Sequence, residues 1–282
     1  MFSYQSIAKK ELININSEET KKITKITAQK RAGRYNVFLD GEYAFPISEE
    51  TFIHFRLGKG MAVNGTLLKE IGEYETNAEA YNIALTYITG QLRTENEVRQ
   101  KLRQQDYEES VIEAVIAKLA DLNLLDDREY AKSYVRTMMR TGDKGPRYLI
   151  NHLRQKGVLE NDLQAGLQLF TDAEQVALAV RVGQKLQKRH QAQALRQQQL
   201  KIRQNLMQKG FTSEIIEKAL AEIEFTVDSD AEYEKLRKLG ERLLRRYQGQ
   251  PEYQRTTKIK RSLYQKGFEM ELIERFLNEN DS

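Results

Sequence analysis

The chain contains no cysteine, which removes disulfides, thiolate zinc sites and thiol nucleophiles from consideration. Histidine is nearly as scarce: His54, His152 and His190 stand far apart and fall in no ligand-spaced motif. No apolar run approaches the roughly 20 residues needed to cross a bilayer. The opening stretch MFSYQSIAKKELININ lacks the apolar segment of a secretory signal. These absences predict a soluble, cytoplasmic protein with no membrane partner. Catalytic signatures are missing too. Gly58-Lys59-Gly60 has neither the spacing nor the following Lys-Ser/Thr of a phosphate-binding loop. There is no Ser/His/Asp order, HExxH or clustered DxD. The chain is therefore not read as an enzyme, and no metal or cofactor is expected.

Only three prolines and sixteen glycines interrupt 282 residues, of which 30% are charged and 40% apolar. That balance predicts a mostly helical, highly charged protein with an adequate core. Charge of one sign is locally absent. From Gln175 to Phe211 there is no Asp or Glu, against eight Lys or Arg. Thr212–Glu234 is strongly acidic, and Lys235–Phe268 is basic again. Such blocks suit a polyanion or an acidic partner, although charge runs also arise as ordinary solvated helix faces.

A phrase recurs: HLRQKGV, NLMQKGF and SLYQKGF end at Val158, Phe211 and Phe268. Each follows an apolar residue and a Leu four places later. The pairs are Val98/Leu102, Leu149/Leu153, Ile202/Leu206 and Ile259/Leu263, which gives periods of 51, 53 and 57 residues. Periods of this size point to stacked helical units, none able to bury its apolar face alone. Gly157, Gly210 and Gly267 have the place of a left-handed helix stop, with the next apolar residue as its hydrophobic contact. Asp106 stands in the equivalent place of the first unit. Lys156, Lys209 and Lys266 suit the negative end of a helix dipole. Helix starts are expected at Thr94, Asp126, Thr171 and Ser229, each with a Glu three residues on, and Pro146 and Pro251 suit a first helical turn.

The alternation of Tyr35, Val37 and Leu39 before Asp40-Gly41 predicts a hairpin, within a sheet of two or three strands over 22–47. A short helix is expected from about Ser48 to Phe55. The expected fold class is mainly α: four tandem three-helix units in a curved array, with a small N-terminal β subdomain. The expected divisions are a flexible leader at 1–20, the β-rich subdomain at 21–76, and repeats at 77–125, 126–170, 171–225 and 226–282.

Candidate binding residues lie on the first helix of each unit. In the third, Arg181, Lys185, Lys188 and Arg189 fall within about 100° of one another. Val176, Ala179, Val180, Gly183 and Leu186 lie opposite, while Leu178 lands among the cations. In the fourth, Lys238, Arg242 and Arg245 form a stripe with Arg246 beside it. In the second, Lys132, Arg136 and Arg140 continue a ladder that starts at Arg128. The first unit has no basic residue there. Lys144 and Arg147 extend this track beside a helix N-terminus suited to anions. Stripes in three units of four carry the footprint of a polyanion binder. Most tyrosines, Tyr134 among them, fall on apolar faces and read as core.

YNIALTYITGQLRTENEVRQKL and LNLLDDREYAKSYVRTMMRTGDKGPRYLINHLRQKGV resemble the RecX family, regulators of the RecA recombinase. The matching points are Arg93-Thr94 with Glu97, Leu102, Leu124–Asp127, Ala131, Arg136, Gly145-Pro146, Leu149, Leu153 and Lys156-Gly157. Gln91-Leu92-Arg93 departs from the family's frequent Arg-x-Arg. The hairpin and the fourth unit resemble the long form of Gram-positive bacteria. The resemblance implies a monomeric, non-enzymatic protein that lies along RecA filaments. It would modulate, mostly inhibit, filament growth, ATP hydrolysis, strand exchange and co-protease activity, with single- or double-stranded DNA as a secondary partner. Two other readings remain at this level: an autonomous DNA-binding protein of tandem helix-turn-helix type, and a helical scaffold.

Overall fold

The structure, a computed structural model, describes residues 20–30, 32–225 and 228–280. The leader expected at 1–20 lies outside them apart from Thr20. Thirteen helices and four short strands are present among the described residues. The chain forms two compact units that divide at Tyr130/Ala131.

In the first unit, β1 (Lys21–Ala28), β2 (Arg34–Leu39), β3 (Glu42–Ser48) and β4 (Ala62–Val63) form an antiparallel sheet in the order β3-β2-β1-β4. Asp40 and Gly41 both have positive φ, 50° and 97°, the conformation that a tight two-residue hairpin demands. The sheet has one strand more than the alternation in the sequence announces. Two residues are too short to show a period, and β4 exists only through its pairing with Lys21 and Lys22. Helix α1 (Glu49–His54) follows, capped by Ser48.

Helix α2 (Gly65–Thr89) runs unbroken for 25 residues. Its first turns bury Leu68 and Ile71 under the sheet with Ile23, Val37, Phe45 and Ile47. Its second half packs Ala80 and Ala84 against α3 (Glu95–Arg103) and α4 (Glu109–Asp121). One helix thus serves as floor of the sheet and first helix of the first repeat. The Glu75 carboxylate fastens the sheet to it. It accepts from the Ser48 amide and hydroxyl, both at 2.8 Å, from the Thr51 hydroxyl, and from Arg34 at 2.8 Å. A half-buried carboxylate with several donors is held far more firmly than an isolated surface pair.

The remaining helices repeat in threes: α5 (Asp127–Thr141), α6 (Pro146–Gln155), α7 (Glu160–Leu167); α8 (Asp172–His190), α9 (Leu195–Gln208), α10 (Ser213–Glu222); and α11 (Ser229–Arg246), α12 (Glu252–Gln265), α13 (Met270–Glu279). The apolar pair that set the period is fully buried in every repeat: Val98/Leu102, Leu149/Leu153, Ile202/Leu206 and Ile259/Leu263. Truncating such a leucine costs about 2–5 kcal/mol.

Helix starts follow the capping rules with two corrections. Thr94 and Glu97 form a reciprocal capping box, and Asp126 and Thr171 accept from Glu129 and Glu174 amides. Ser229 is not a cap; Asp228 accepts from the Asp230 and Ala231 amides, because a charged carboxylate one residue earlier is the stronger acceptor. Pro146 is the first residue of α6, but Pro251 is the N-cap of α12 rather than its first turn.

The repeated glycine phrase closes each middle helix as a Schellman motif. Val158, Phe211 and Phe268 amides reach back to Leu153, Leu206 and Leu263 carbonyls at 3.1, 3.1 and 3.3 Å. Gly157, Gly210 and Gly267 hold φ of 83°, 91° and 92°, and Asp106 holds 60°. Helix termination is only part of the phrase's work. In the second unit the turns at Gly210 and Gly267 are also joints between repeats. The Gly145 amide donates to the Lys209 carbonyl at 2.8 Å and Arg147 to the Gly210 carbonyl at 3.2 Å. A methyl at Gly210 would sit 2.8 Å from the Tyr148 amide nitrogen, and one at Gly145 would sit 2.5 Å from that of Phe211. Gly267 meets the start of α9 in the same way, 3.2 Å from the Gln197 nitrogen. Asp106 is exposed, so no neighbouring backbone there requires the missing Cβ.

Gly267→Ala should lower stability in denaturant by about 1–2 kcal/mol from its positive φ. Gly210→Ala should lose at least about 1 kcal/mol more, because its Cβ would come within 2.8 Å of backbone, against 3.2 Å at Gly267. Equal losses would remove close approach as a reason for glycine at 210.

Candidate polyanion-binding site

Helices α5, α8 and α11, the first of their repeats, carry the candidate cations, and all of these lie in the second unit. Their starts are acidic and their ends basic, as the helix dipole favours: Asp172 and Glu174 open α8, and Lys188, Arg189 and His190 close it. Arg136, Arg140, Lys185, Lys188, Arg189 and Lys238 are exposed and make no ion pair among the described residues. Arg147 is exposed at the start of α6, and Lys132 is half-buried on α5. At the end of α11, Arg242 bonds the Lys238 carbonyl, Arg245 lies 3.9 Å from Glu241, and Arg246 lies over the Tyr247 ring at 5.7 Å.

Cations on the middle helices are treated differently. Arg99, Arg203 and Lys260 occupy one equivalent position, and each pairs with an acid on the third helix of its repeat. The partners are Glu113, Glu217 and Glu274 at 2.8, 2.8 and 2.9 Å. In the second repeat that place holds Ile150 and Gln164 instead. Exposed pairs of this kind add at most about 1 kcal/mol each. Their larger consequence is to neutralise that one position, while other middle-helix cations such as Arg196 and Arg261 stay exposed without an acid partner among the described residues.

Three sequence expectations change. Arg181 does not stand free beside Lys185. Its guanidinium donates to the carbonyls of Met139, Arg140 and Gly142 at 3.1, 3.1 and 3.0 Å, capping the end of α5 in the preceding repeat. Leu178, which the helical wheel puts among the cations, is buried with Val182. In a stacked array a helix packs against the neighbouring repeat as well as its own, so a single apolar face is too simple a picture. The anion-binding N-terminus expected near Lys144 and Arg147 is also occupied. Pro146 has no amide, and those of Gly145 and Arg147 are bonded to the glycine turn of the next repeat.

Lys209 completes this joint by an ion pair to Asp143, on whose other oxygen Lys144 lies at 3.5 Å. The Lys209 hydrogen bond holds the Asp143 carboxyl below the usual carboxylate range. A depressed carboxyl contributes stability at neutral pH, which is lost as pH falls through its folded pKa.

Sequence reasoning missed an aromatic column. The rings of Tyr134 and His152 stack at 4.5 Å, and that of Tyr148 lies parallel to His152 at 6.4 Å. Tyr134 was assigned to an apolar face, and its stacking partner comes from another helix, which periodicity cannot show. The placing of Tyr148 beside Lys144 and Arg147 was the available signal.

Among the described residues no group of three or more acidic or histidine side chains could hold a metal ion. No helix among them is long and apolar enough to cross a membrane. The fold and its cationic helices define a tandem three-helix-repeat protein. Comparison with known proteins names the family. The Regulatory protein RecX N-terminal domain matches residues 21–64, and the first and second RecX three-helix domains match 80–119 and 126–167. The third RecX three-helix domain matches twice, at 172–220 and 230–277, so the fourth repeat is a second copy of the third type.

The Regulatory protein RecX of Levilactobacillus brevis is 48% identical over 90% of this chain and 96% of its own. That of Enterococcus faecalis is 37% identical over 92% and 97%. A crystal structure of regulatory protein RecX aligns with TM-score 0.62 at 42% identity, covering 72% of this chain and all of that one. A RecX structure from Lactobacillus salivarius covers 53% of this chain and 97% of its own, with TM-score 0.51 at 43% identity. The chain belongs to the RecX family of regulatory proteins.

Arg181→Ala should destabilise the second unit by about 1–2 kcal/mol through the lost carbonyl bonds. Arg136→Ala and Arg189→Ala should stay within about 0.5 kcal/mol of wild type. Denaturant titration of the three variants checks this, and equal effects would erase the distinction between clamp and free surface.

Proposed function

We propose that this chain binds filaments of the RecA recombinase on DNA and restrains them, acting in the cytoplasm as a monomer and without catalysis of its own. Family membership supports RecA as the partner. The observation that carries the mode of binding is the set of exposed first-helix cations Arg136, Arg140, Lys185, Lys188, Arg189 and Lys238, none of which is ion-paired among the described residues.

On this reading Arg136, Arg140, Lys185, Lys188, Arg189, Lys238, Arg242, Arg245 and Arg246 meet the filament, with Lys132, Lys144 and Arg147 at the edge of the same surface. Affinity would come from many modest contacts, with charge governing encounter and register. Arg181 contributes by holding α8 to the end of α5 rather than by touching the partner. DNA is a secondary partner, reached by the same cations. An autonomous helix-turn-helix reader is the weaker reading. The first turns of the third helices carry Glu109, Glu160, Glu214 and Glu271, which repel phosphate where a recognition helix would enter a groove.

Added at substoichiometric ratios to RecA on single-stranded DNA, the protein should lower ATP hydrolysis and shorten filaments seen by electron microscopy. The combined variant Arg136→Glu, Arg140→Glu, Lys185→Glu, Arg189→Glu should need at least about tenfold more protein for the same inhibition. Unchanged ATPase and filament length at every ratio of wild-type protein would refute the reading. Full potency of the charge-reversed variant would refute the role given to these residues.

A further inference from the structure

The second repeat differs from the others at the third residue of its middle helix. Glu97, Gln197 and Gln254 hold that place elsewhere, and Tyr148 holds it here. The Tyr148 side chain is 43% exposed, an unusual position for an aromatic ring among polar counterparts. It is not loosely placed. Its backbone lies under the Gly210 turn of the next repeat, and its ring lies parallel to His152 within 10°. His152 stacks in turn on Tyr134, within 13°. The three rings form a column anchored on two helices and open at one end.

Lys144 lies over the open end, its ammonium also 3.5 Å from the Asp143 carboxylate. The Lys144 ammonium lies 5.3 Å from the Tyr148 ring centroid, and Arg147 is exposed one residue away. The backbone amides nearby are already bonded, so an anion here would be met by side chains alone. A rigid, exposed ring beside flexible cations has the chemistry of single-strand nucleic-acid sites: a base stacks on the ring while the cations take its phosphates. A duplex does not fit this arrangement, because each of its internal bases is covered on both faces by its neighbours.

We propose that Tyr148, backed by His152 and Tyr134, is a stacking platform for an unpaired nucleobase, with Lys144 and Arg147 holding the flanking phosphates. This deepens, and rests on, the DNA contact proposed above, by naming single strands as the form that is held. Lys144 is a four-carbon arm and leaves the ring for a phosphate when a base arrives. The backing rings limit what ordering remains to be done on binding.

The test uses the full chain and fluorescence anisotropy with three probes: a labelled dT oligomer, an abasic oligomer of the same length and a duplex. Wild type should bind the dT oligomer more tightly than the abasic one. Tyr148→Ala should weaken dT binding about tenfold and bring it to the abasic level, leaving the abasic and duplex affinities unchanged. Tyr148→Phe should retain wild-type binding, since the ring and not the hydroxyl does the stacking. Lys144→Gln should weaken dT and abasic binding alike. Circular-dichroism melting checks that each variant is folded, as expected for an exposed side chain.

Undiminished dT binding by a folded Tyr148→Ala chain would overturn the platform while leaving the DNA contact standing. If that variant bound DNA normally but lost inhibition of RecA, Tyr148 would be a protein contact and the proposal would be wrong. A wild-type chain that binds none of the three probes would overturn the DNA contact and the platform together, while the RecA reading keeps its own assay.

Discussion

The seating of a glycine turn on the start of the preceding repeat's middle helix is the contact on which the rest of the second unit depends. At Gly210 two backbones meet at a distance no side chain would permit, and the Gly145 and Arg147 amides both donate to carbonyls of the glycine turn. The joint satisfies the first amides of α6, places Lys209 against Asp143 and pins Tyr148. The equivalent contact of Gly267 at the start of α9 is accompanied by a second tie, in which Glu232 of α11 accepts from the Leu195 amide at 2.7 Å. Helix ends, which otherwise leave orphan polar groups, are here completed by the neighbouring repeat. A repeat array stabilised this way gains its interfaces from the same groups that terminate its helices.

Charge is then distributed by position within the repeat. One cation position on the middle helices faces an acid one helix on, at a spacing of 14 residues, as in Arg203–Glu217 and Lys260–Glu274. Among first-helix cations, Lys235, Arg237 and Arg245 pair with acids of α11 itself, whereas those toward the ends of α5 and α8 have no acid partner among the described residues, the acids of α8 standing at its opposite end. A modest net charge of +4 therefore hides a locally strong positive surface.

Much of this was legible in one dimension. The pairs Val98/Leu102 through Ile259/Leu263 announced four units and proved fully buried. The left-handed place of Gly157, Gly210 and Gly267, and of Asp106, followed from the stop they make in a helical pattern. The Asp40-Gly41 hairpin was readable because two adjacent residues suffice to specify it. Other features were out of reach. β4 is defined by a partner about forty residues earlier, and α2 continues through a point where the periodicity only becomes regular. Arg181 looked like one more cation on a face, because the carbonyls that claim it belong to a helix roughly forty positions upstream.

The sequence by itself determined the number of repeats, where their helices stop and which helices are basic, because apolar period, glycine position and local charge act over distances of one or two turns. Only the tertiary structure decided which of those cations remain available, that the glycine phrase is a joint as well as a stop, and that Tyr148 ends a column of rings. Each of these depends on groups far apart in the chain arriving within about 3–6 Å of each other, the range over which hydrogen bonds and ring stacking act.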